Sequence, residues 1–100
     1  MYDVSIKVVK VSEYEDLINE YEVKLNNPCF MNEGMTFISV KGEMPKGFCL
    51  EAWKCIKEYV ARLSCGEVNL FGKWLKNERS VILSCNDGCR PVSFLIETIH

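Results

Sequence analysis

The longest amphipathic segment of the chain spans residues 47–66, GFCLEAWKCIKEYVARLSCG. Its apolar side chains fall within one arc of a helix that turns by about 100° per residue. They are Cys49, Ala52, Trp53, Ile56, Val60 and Leu63. Gly66 can adopt the left-handed conformation that commonly ends a helix. The segment therefore predicts the main core helix, which follows a turn at residues 44–47 and ends near Cys65.

Four β-rich runs lie outside this helix. In residues 3–11, Val4, Ile6 and Val8 alternate with polar side chains, as in a strand with one buried face. A second, short strand is predicted at residues 35–41. Two further runs are predicted to form a hairpin, because a polar turn that contains a glycine separates them. They lie at residues 80–85 and 91–99.

A shorter helix is predicted between the first two strands. Ser12 and Glu15 have the spacing of a capping box, in which each side chain bonds the backbone N–H of the other residue. Apolar residues then recur at helical spacing for about three turns, until Asn-Asn-Pro at residues 26–28 stops the run. Residues 67–78 are predicted to be a loop with a short helical turn that covers the core. Residues 1–100 are thus predicted to form one α+β domain of order β-α-β-α-β-β, with two helices packed on a four-stranded, mainly antiparallel sheet.

Composition excludes several classes of protein. Hydrophobic residues make up 48% of the 100 residues and charged residues 26%, which excludes a disordered chain. A net charge of −2 provides no basic field for a phosphate backbone, so nucleic acid is not expected as a partner. No apolar run reaches the ~18 residues of a membrane span, and the first ten residues lack the pattern of a signal peptide. The protein is therefore expected in the cytoplasm, away from membranes, with its six cysteines reduced.

Four of the six cysteines have positions suited to thiol chemistry. Cys49 lies at the start of the core helix, where free backbone N–H groups and the helix dipole favour a thiolate. Cys85 and Cys89 flank a three-residue Asn-Asp-Gly turn, which would place them nearly opposite each other, close enough to share a metal or form a disulfide. Cys29 lies in a loop that a ligand can approach. The other two cysteines have no partner at ligand spacing and are assigned to structure.

Each of these positions also has a structural explanation. Free cysteine often packs as a small hydrophobe, and the chain has no paired C-x2-C pattern of a zinc or iron–sulfur site. Asp87 is explained as a turn residue that accepts backbone N–H groups, and Glu51 by its place in the first turn of a helix. The residues alone leave three interpretations open: packed structural thiols, a metal or cluster site, and redox or nucleophilic chemistry at Cys49.

Three blocks of sequence carry a family resemblance. They are Cys29 with Gly34 and Phe37, then Gly47-Phe48-Cys49 with Ala52, then Cys85-Asn86-Asp87 with Pro91-Val92-Ser93-Phe94. In these blocks the chain resembles, over nearly its whole length, a family of short, uncharacterised proteins of anaerobic bacteria and archaea. It departs from the family pattern at Met35 and Asn86, where members often have aspartate and proline. The resemblance implies no activity, but it singles out Cys29, Cys49 and Cys85 as the matched thiols.

The leading hypothesis is a thiol site made by these three cysteines. Cys29, Cys49 and Cys85 are expected to converge beside the start of the core helix and to bind a soft metal, with zinc or an iron–sulfur cluster as the candidates. Three thiolates leave a fourth coordination position, for which Cys89 or Asp87 is the candidate residue.

Two rival hypotheses belong to other classes of protein. One is a non-enzymatic interaction module or homo-oligomer subunit, in which the cysteines are buried and Phe71 and Trp74 make the contacts. The other is a redox protein that uses Cys49 as the nucleophile and a second thiol to resolve the intermediate. The sequence identifies neither a reaction nor a small-molecule ligand.

Overall fold

Strands and helices follow one another in the predicted order, β-α-β-α-β-β, in a computed structural model that describes residues 1–24 and 29–99. The elements are β1 (Val4–Val11), α1 (Glu15–Tyr21), β2 (Thr36–Ser39), α2 (Leu50–Ser64), β3 (Ser80–Ser84) and β4 (Val92–Thr98). Neither of the helices in the described part of the chain has the length and apolarity needed to cross a membrane.

The strands form one open sheet of order β2-β1-β4-β3, and every neighbouring pair is antiparallel. The first and last strands pair at the centre, with Ile6 opposite Ile96, and a bulge between Val8 and Lys10 shifts the register. β2 and β3 are the edges of the sheet. The predicted fold class, an α+β domain with a four-stranded antiparallel sheet, is confirmed.

The core lies between α2 and one face of the sheet. Ala52, Ile56, Val60 and Leu63 lie on one side of α2 and are buried, as their helical spacing predicts. They pack against the inward-facing residues of the sheet, which are Val4, Ile6, Val8, Val81, Val92, Phe94 and Ile96. Because successive residues of a strand point to opposite faces, the alternation in β1 and β4 produces this buried surface.

Phe48 anchors the start of α2 in this core. Its ring makes an edge contact with Phe37 at a centroid distance of 4.9 Å, and it lies 5.5 Å from the ring of Phe94 and 6.1 Å from that of Trp53. Aromatic pairs in this range are attractive beyond the area they bury. The residue directly before Cys49 is therefore fixed by packing from two strands and the helix.

The first helix is shorter than predicted. It has seven residues, none of them buried, and no side-chain hydrogen bond caps its start. The capping box at Ser12 is replaced by backbone pairing: the N–H groups of Ser12 and Tyr14 donate to the carbonyls of Pro91 and Cys89. These bonds to the loop after β3 hold the chain extended up to Tyr14, so the helix begins later. The predicted stop at residues 26–28 lies outside the described residues.

Residues 67–78 form a series of turns, and the short helical turn predicted there is absent from this described segment. The N–H of Asn69 donates to the carbonyl of Glu78 at 2.7 Å, which closes the segment into a loop. Leu70, Phe71 and Leu75 pack against the core, as predicted for a covering segment, whereas 88% of Trp74 is exposed.

Gly66 ends α2 with a positive φ of +90°, as its position predicts. A Cβ at this position would lie 3.1 Å from the Tyr2 ring, and the backbone conformation disfavours any L side chain. We expect Gly66→Ala to lower the free energy of unfolding by about 1–2 kcal/mol, measured by urea denaturation. Gly88→Ala is the matched control, because a Cβ there meets nothing within 4 Å. Equal losses in the two variants would contradict this explanation.

Candidate functional site

Cys29, Cys49 and Cys85 line one cleft at the start of α2, with a volume of about 310 Å³. The other lining residues are Glu51, Ala52, Asn86, Asp87 and Arg90. We call this the thiol cleft. Three segments that are distant in the sequence supply its sulfurs: the loop before β2, the start of α2 and the end of β3.

Cys49 occupies the N-cap position of α2, with an extended backbone (φ −69°, ψ 121°) and no side-chain cap. Gly47, two residues earlier, has a φ of +80°, a turn conformation that glycine adopts at little cost. The first N–H groups of a helix have no partner within the helix, and the helix dipole places partial positive charge there. Both effects favour negative charge near the start of the helix.

Cys85 directly follows β3 and is held by the first residue of β4. Its N–H donates to the carbonyl of Val92 at 3.0 Å, and its sulfur accepts the N–H of Val92 at 3.3 Å. The end of the β3–β4 ladder therefore orients this sulfur.

Cys29 is exposed, but it lies two residues before Met31, a buried core residue. Met31, two residues later, is buried in the core cluster, and it ties this part of the loop to the rest of the domain. Cys29 thus reaches the cleft from a segment whose position depends on core packing.

The three sulfurs line the same cleft, but they are not all as close together as the ligands of one metal ion. Among the described residues, they do not form a group whose ligand atoms all lie within 4.8 Å of one another. A tetrahedral zinc ion with Zn–S bonds of about 2.3 Å holds its sulfurs about 3.8 Å apart. A single ion would therefore require the sulfurs to move closer together, whereas a [4Fe–4S] cluster, in which each iron takes one thiolate, holds its cysteine sulfurs farther apart.

Asp87 lies in the cleft and organises the loop between β3 and β4. Its Oδ1 accepts the backbone N–H groups of Cys89 at 2.9 Å and Arg90 at 3.0 Å, as predicted for a turn residue. The hairpin loop is longer than expected, because Cys85 pairs with Val92 and not with Cys89. Of the two candidate fourth ligands, Asp87 lines the thiol cleft, and Cys89 is not among its lining residues.

Cys89 belongs instead to a polar cluster beside the cleft. One ligand atom from each of Glu22, Asp87 and Cys89 lies within 4.8 Å of the others. The Nη1 of Arg90 forms a close ion pair with Oε1 of Glu22, and this hydrogen bond raises the pKa of Arg90 above its ordinary value. The guanidinium therefore supplies the positive charge that balances Glu22. Sequence reasoning missed Glu22, because it is 68 residues from Arg90 and no local pattern connects the two.

The same cluster makes Cys89 a weak acid. Burial raises the pKa of its thiol, the hydrogen bond with Glu22 raises it further, and the negative charges of Glu22 and Asp87 act in the same direction. Since the thiolate is the reactive form, Cys89 is expected to alkylate more slowly than a solvated cysteine at the same pH.

Glu22→Gln is expected to reverse this effect. Removing the carboxylate lowers the pKa of Cys89, so the midpoint of its alkylation rate against pH moves to lower pH. Mass spectrometry of iodoacetamide-treated protein measures this rate for each cysteine separately. Glu20→Gln, an exposed change on the same helix, is the control. An unchanged midpoint in Glu22→Gln would show that Glu22 does not govern Cys89.

The two remaining cysteines lie away from the cleft. Cys55 donates its S–H to the carbonyl of Glu51 within α2 at 3.4 Å, and Cys65 is exposed at the end of that helix. All six cysteines are free thiols, and each is at least partly exposed. Cys49, Cys55 and Cys85 pack partly against the core, so the structural interpretation of these thiols stays open beside the chemical ones.

Comparison of the chain with family models, curated proteins and solved structures found no match. The resemblance to the family with three matched cysteines stays a prediction. The chain itself offers three free thiols and the carboxylate of Asp87 on the walls of one cleft. Soft sulfur donors of this kind are suited to thiophilic cations.

Proposed function

We propose that the thiol cleft binds a soft metal ion or an iron–sulfur cluster through the thiolates of Cys29, Cys49 and Cys85. One observation carries the proposal: three free cysteines from three distant segments line the same cleft. Cys49 and Cys85 also pack partly against the core, but packing does not explain why the exposed Cys29 lies beside them. A metal site requires several thiolates to converge.

Local charges support a cation as the occupant. Asp87 contributes a carboxylate to the cleft, and its Oδ2 is free of hydrogen bonds within residues 1–24 and 29–99. The charge of Arg90 is balanced by Glu22. Glu51 also lines the cleft, although an exposed contact with Lys54 offsets part of its charge. The negative charge of three thiolates and Asp87 therefore exceeds the positive charge of the groups that line the cleft.

The positions of two of the sulfurs support a bound metal. Cys49 lies at the start of α2, and the N–H of Val92 donates to the sulfur of Cys85. Hydrogen bonds to a ligating sulfur also tune the affinity and potential of the metal it holds. With three sulfur ligands, Asp87 is the candidate for the fourth position because it lines the cleft, and its carboxylate can give way to water or to a substrate.

The test is elemental analysis with an absorption spectrum of protein purified under reducing conditions without air and without a histidine tag. We expect zinc or iron in a fixed ratio to protein; colour with acid-labile sulfide would identify a cluster, and colourless protein with zinc a single ion. Cys29→Ser, Cys49→Ser and Cys85→Ser should each retain less metal than the wild type. Cys65→Ser, which changes a thiol outside the cleft, should keep it.

Two results would overturn the proposal. One is folded protein that stays metal-free after incubation with zinc, and after reconstitution with iron and sulfide. The other is a metal content that is the same as in the wild type in all three cleft variants. If the cleft thiols instead form a disulfide in the metal-free protein, the redox hypothesis replaces the metal site.

A further inference from the structure

Two carboxylates lie near the guanidinium of Arg90. Its Nη1 forms a close ion pair with Oε1 of Glu22, and this contact is largely shielded from water, since the two side chains are 13% and 24% exposed. A carboxylate oxygen of Asp87 lies within 4.8 Å of one from Glu22. Asp87 is also joined to the backbone of Arg90, because its Oδ1 accepts the N–H of that residue at 3.0 Å. A short movement of the guanidinium would therefore exchange Glu22 for Asp87 as its partner.

Such an exchange would act directly on the thiol cleft, which both Arg90 and Asp87 line. Within residues 1–24 and 29–99 no ion pair joins these two side chains. A guanidinium binds a carboxylate strongly, often through two parallel hydrogen bonds, so it would compete with a metal for the oxygens of Asp87. It would also bring a positive charge closer to the metal, which repels a cation. Both effects would weaken metal binding.

We propose that Glu22 is a positioning residue for the metal of the thiol cleft: it holds Arg90 and thereby keeps Asp87 open to the metal. This inference rests on the proposed function and adds to it a residue that does not line the cleft. Glu22 directly follows α1, a helix with no buried residue. Its contact with Arg90 gives this end of α1 a part in metal binding.

The affinity for zinc, measured by competition with a chromophoric chelator at about 0.15 M salt, tests the proposal. Glu22→Gln should weaken zinc binding about three- to tenfold, because Arg90 then pairs with Asp87. Glu20→Gln makes the same chemical change at an exposed position of α1 and should leave the affinity unchanged. For protein that holds a cluster, the loss of iron to a chelator replaces the zinc measurement.

Two further variants separate this role from other effects of Glu22. Arg90→Gln has no guanidinium to be held, and Asp87→Asn has no carboxylate with which the guanidinium can form an ion pair. When Glu22→Gln is added to either variant, the affinity should change by less than about twofold. A long-range attraction between Glu22 and the metal, or a purely structural role of Glu22, would instead lower the affinity in both variants. Circular dichroism of each variant checks the fold.

Two results would overturn this role of Glu22 and leave the metal site in place. One is the same zinc affinity in Glu22→Gln as in Glu20→Gln. The other is a loss of affinity from Glu22→Gln that persists undiminished in the Arg90→Gln and Asp87→Asn variants. Wild-type protein that binds neither zinc nor a cluster would overturn the proposed function, and this inference with it.

Discussion

Cys49→Ser is expected to weaken zinc binding by about two orders of magnitude. Structural zinc sites bind with roughly 10–16 kcal/mol, so one of four ligands contributes about 3 kcal/mol. That loss corresponds to a factor of roughly 150 in the dissociation constant. Serine is close to cysteine in shape, and a serine hydroxyl is a favourable group at a helix N-cap, so the fold is expected to persist. Competition with a chromophoric chelator measures the affinity.

Cys55→Ser is the matched control for this prediction. It makes the same chemical change within α2, and its hydroxyl can replace the S–H that donates to the carbonyl of Glu51. Because Cys55 does not line the thiol cleft, the Cys55→Ser variant should bind zinc with the same affinity as the wild type. Equal losses in Cys49→Ser and Cys55→Ser would place the metal ligands elsewhere in the chain.

Phe94→Ala is expected to lower the free energy of unfolding by about 3–5 kcal/mol. Phe94 is fully buried in the central strand β4, and its ring lies 5.5 Å from that of Phe48. The substitution removes this contact and leaves a cavity between the sheet and α2. For a domain of this size, such a loss lowers Tm by roughly 15–30 °C. Thermal and urea denaturation of the reduced, metal-free protein measure it.

Tyr21→Ala provides the comparison for an aromatic ring outside the core. Its ring is 77% exposed, so its removal should change the free energy of unfolding by less than about 0.5 kcal/mol. Similar losses in Phe94→Ala and Tyr21→Ala would mean that the core is not centred between α2 and the sheet.

The parts of the fold that were predicted correctly are those with a strong apolar period. The buried side of α2 and the alternation in β1 and β4 each repeat over several residues, and each lies on the core. The periodicity of apolar residues reflects burial, so it predicts an element correctly where a long face of that element is buried. α1 has no buried residue, and the apolar spacing that predicted a longer helix does not reflect a core contact there.

Local turn chemistry was a weaker guide because tertiary hydrogen bonds competed with it. The capping box at Ser12 did not form, since the backbone at residues 12–14 pairs with the loop after β3. The Asn-Asp-Gly turn does hold Asp87 as predicted, but β4 begins only at Val92, so Cys89 is not opposite Cys85. Short motifs indicate which local conformations a segment can adopt, and long-range hydrogen bonds determine which of these conformations forms.

For the candidate site, the sequence indicated the cysteines but not their neighbours. The helix start at Cys49 and the strand end at Cys85 follow from periodicity, and both residues line the cleft with Cys29. The ion pair between Glu22 and Arg90, and the hydrogen bond from Val92 to the sulfur of Cys85, depend on the three-dimensional path of the chain. The first contact balances the charge of Arg90 and the second orients the sulfur of Cys85, and the spacing of residues in the sequence indicates neither.

X-ray absorption at the metal edge of the anaerobically purified protein, or of protein reconstituted with zinc, tests the thiol cleft most directly. A zinc site should show three sulfur ligands at about 2.3 Å with one oxygen ligand, and an iron–sulfur cluster should show a sulfur shell with iron neighbours. In Cys49→Ser, any zinc that remains should have two sulfur ligands. Metal coordinated only by oxygen and nitrogen, or an unchanged sulfur shell in Cys49→Ser, would contradict a site made by Cys29, Cys49 and Cys85.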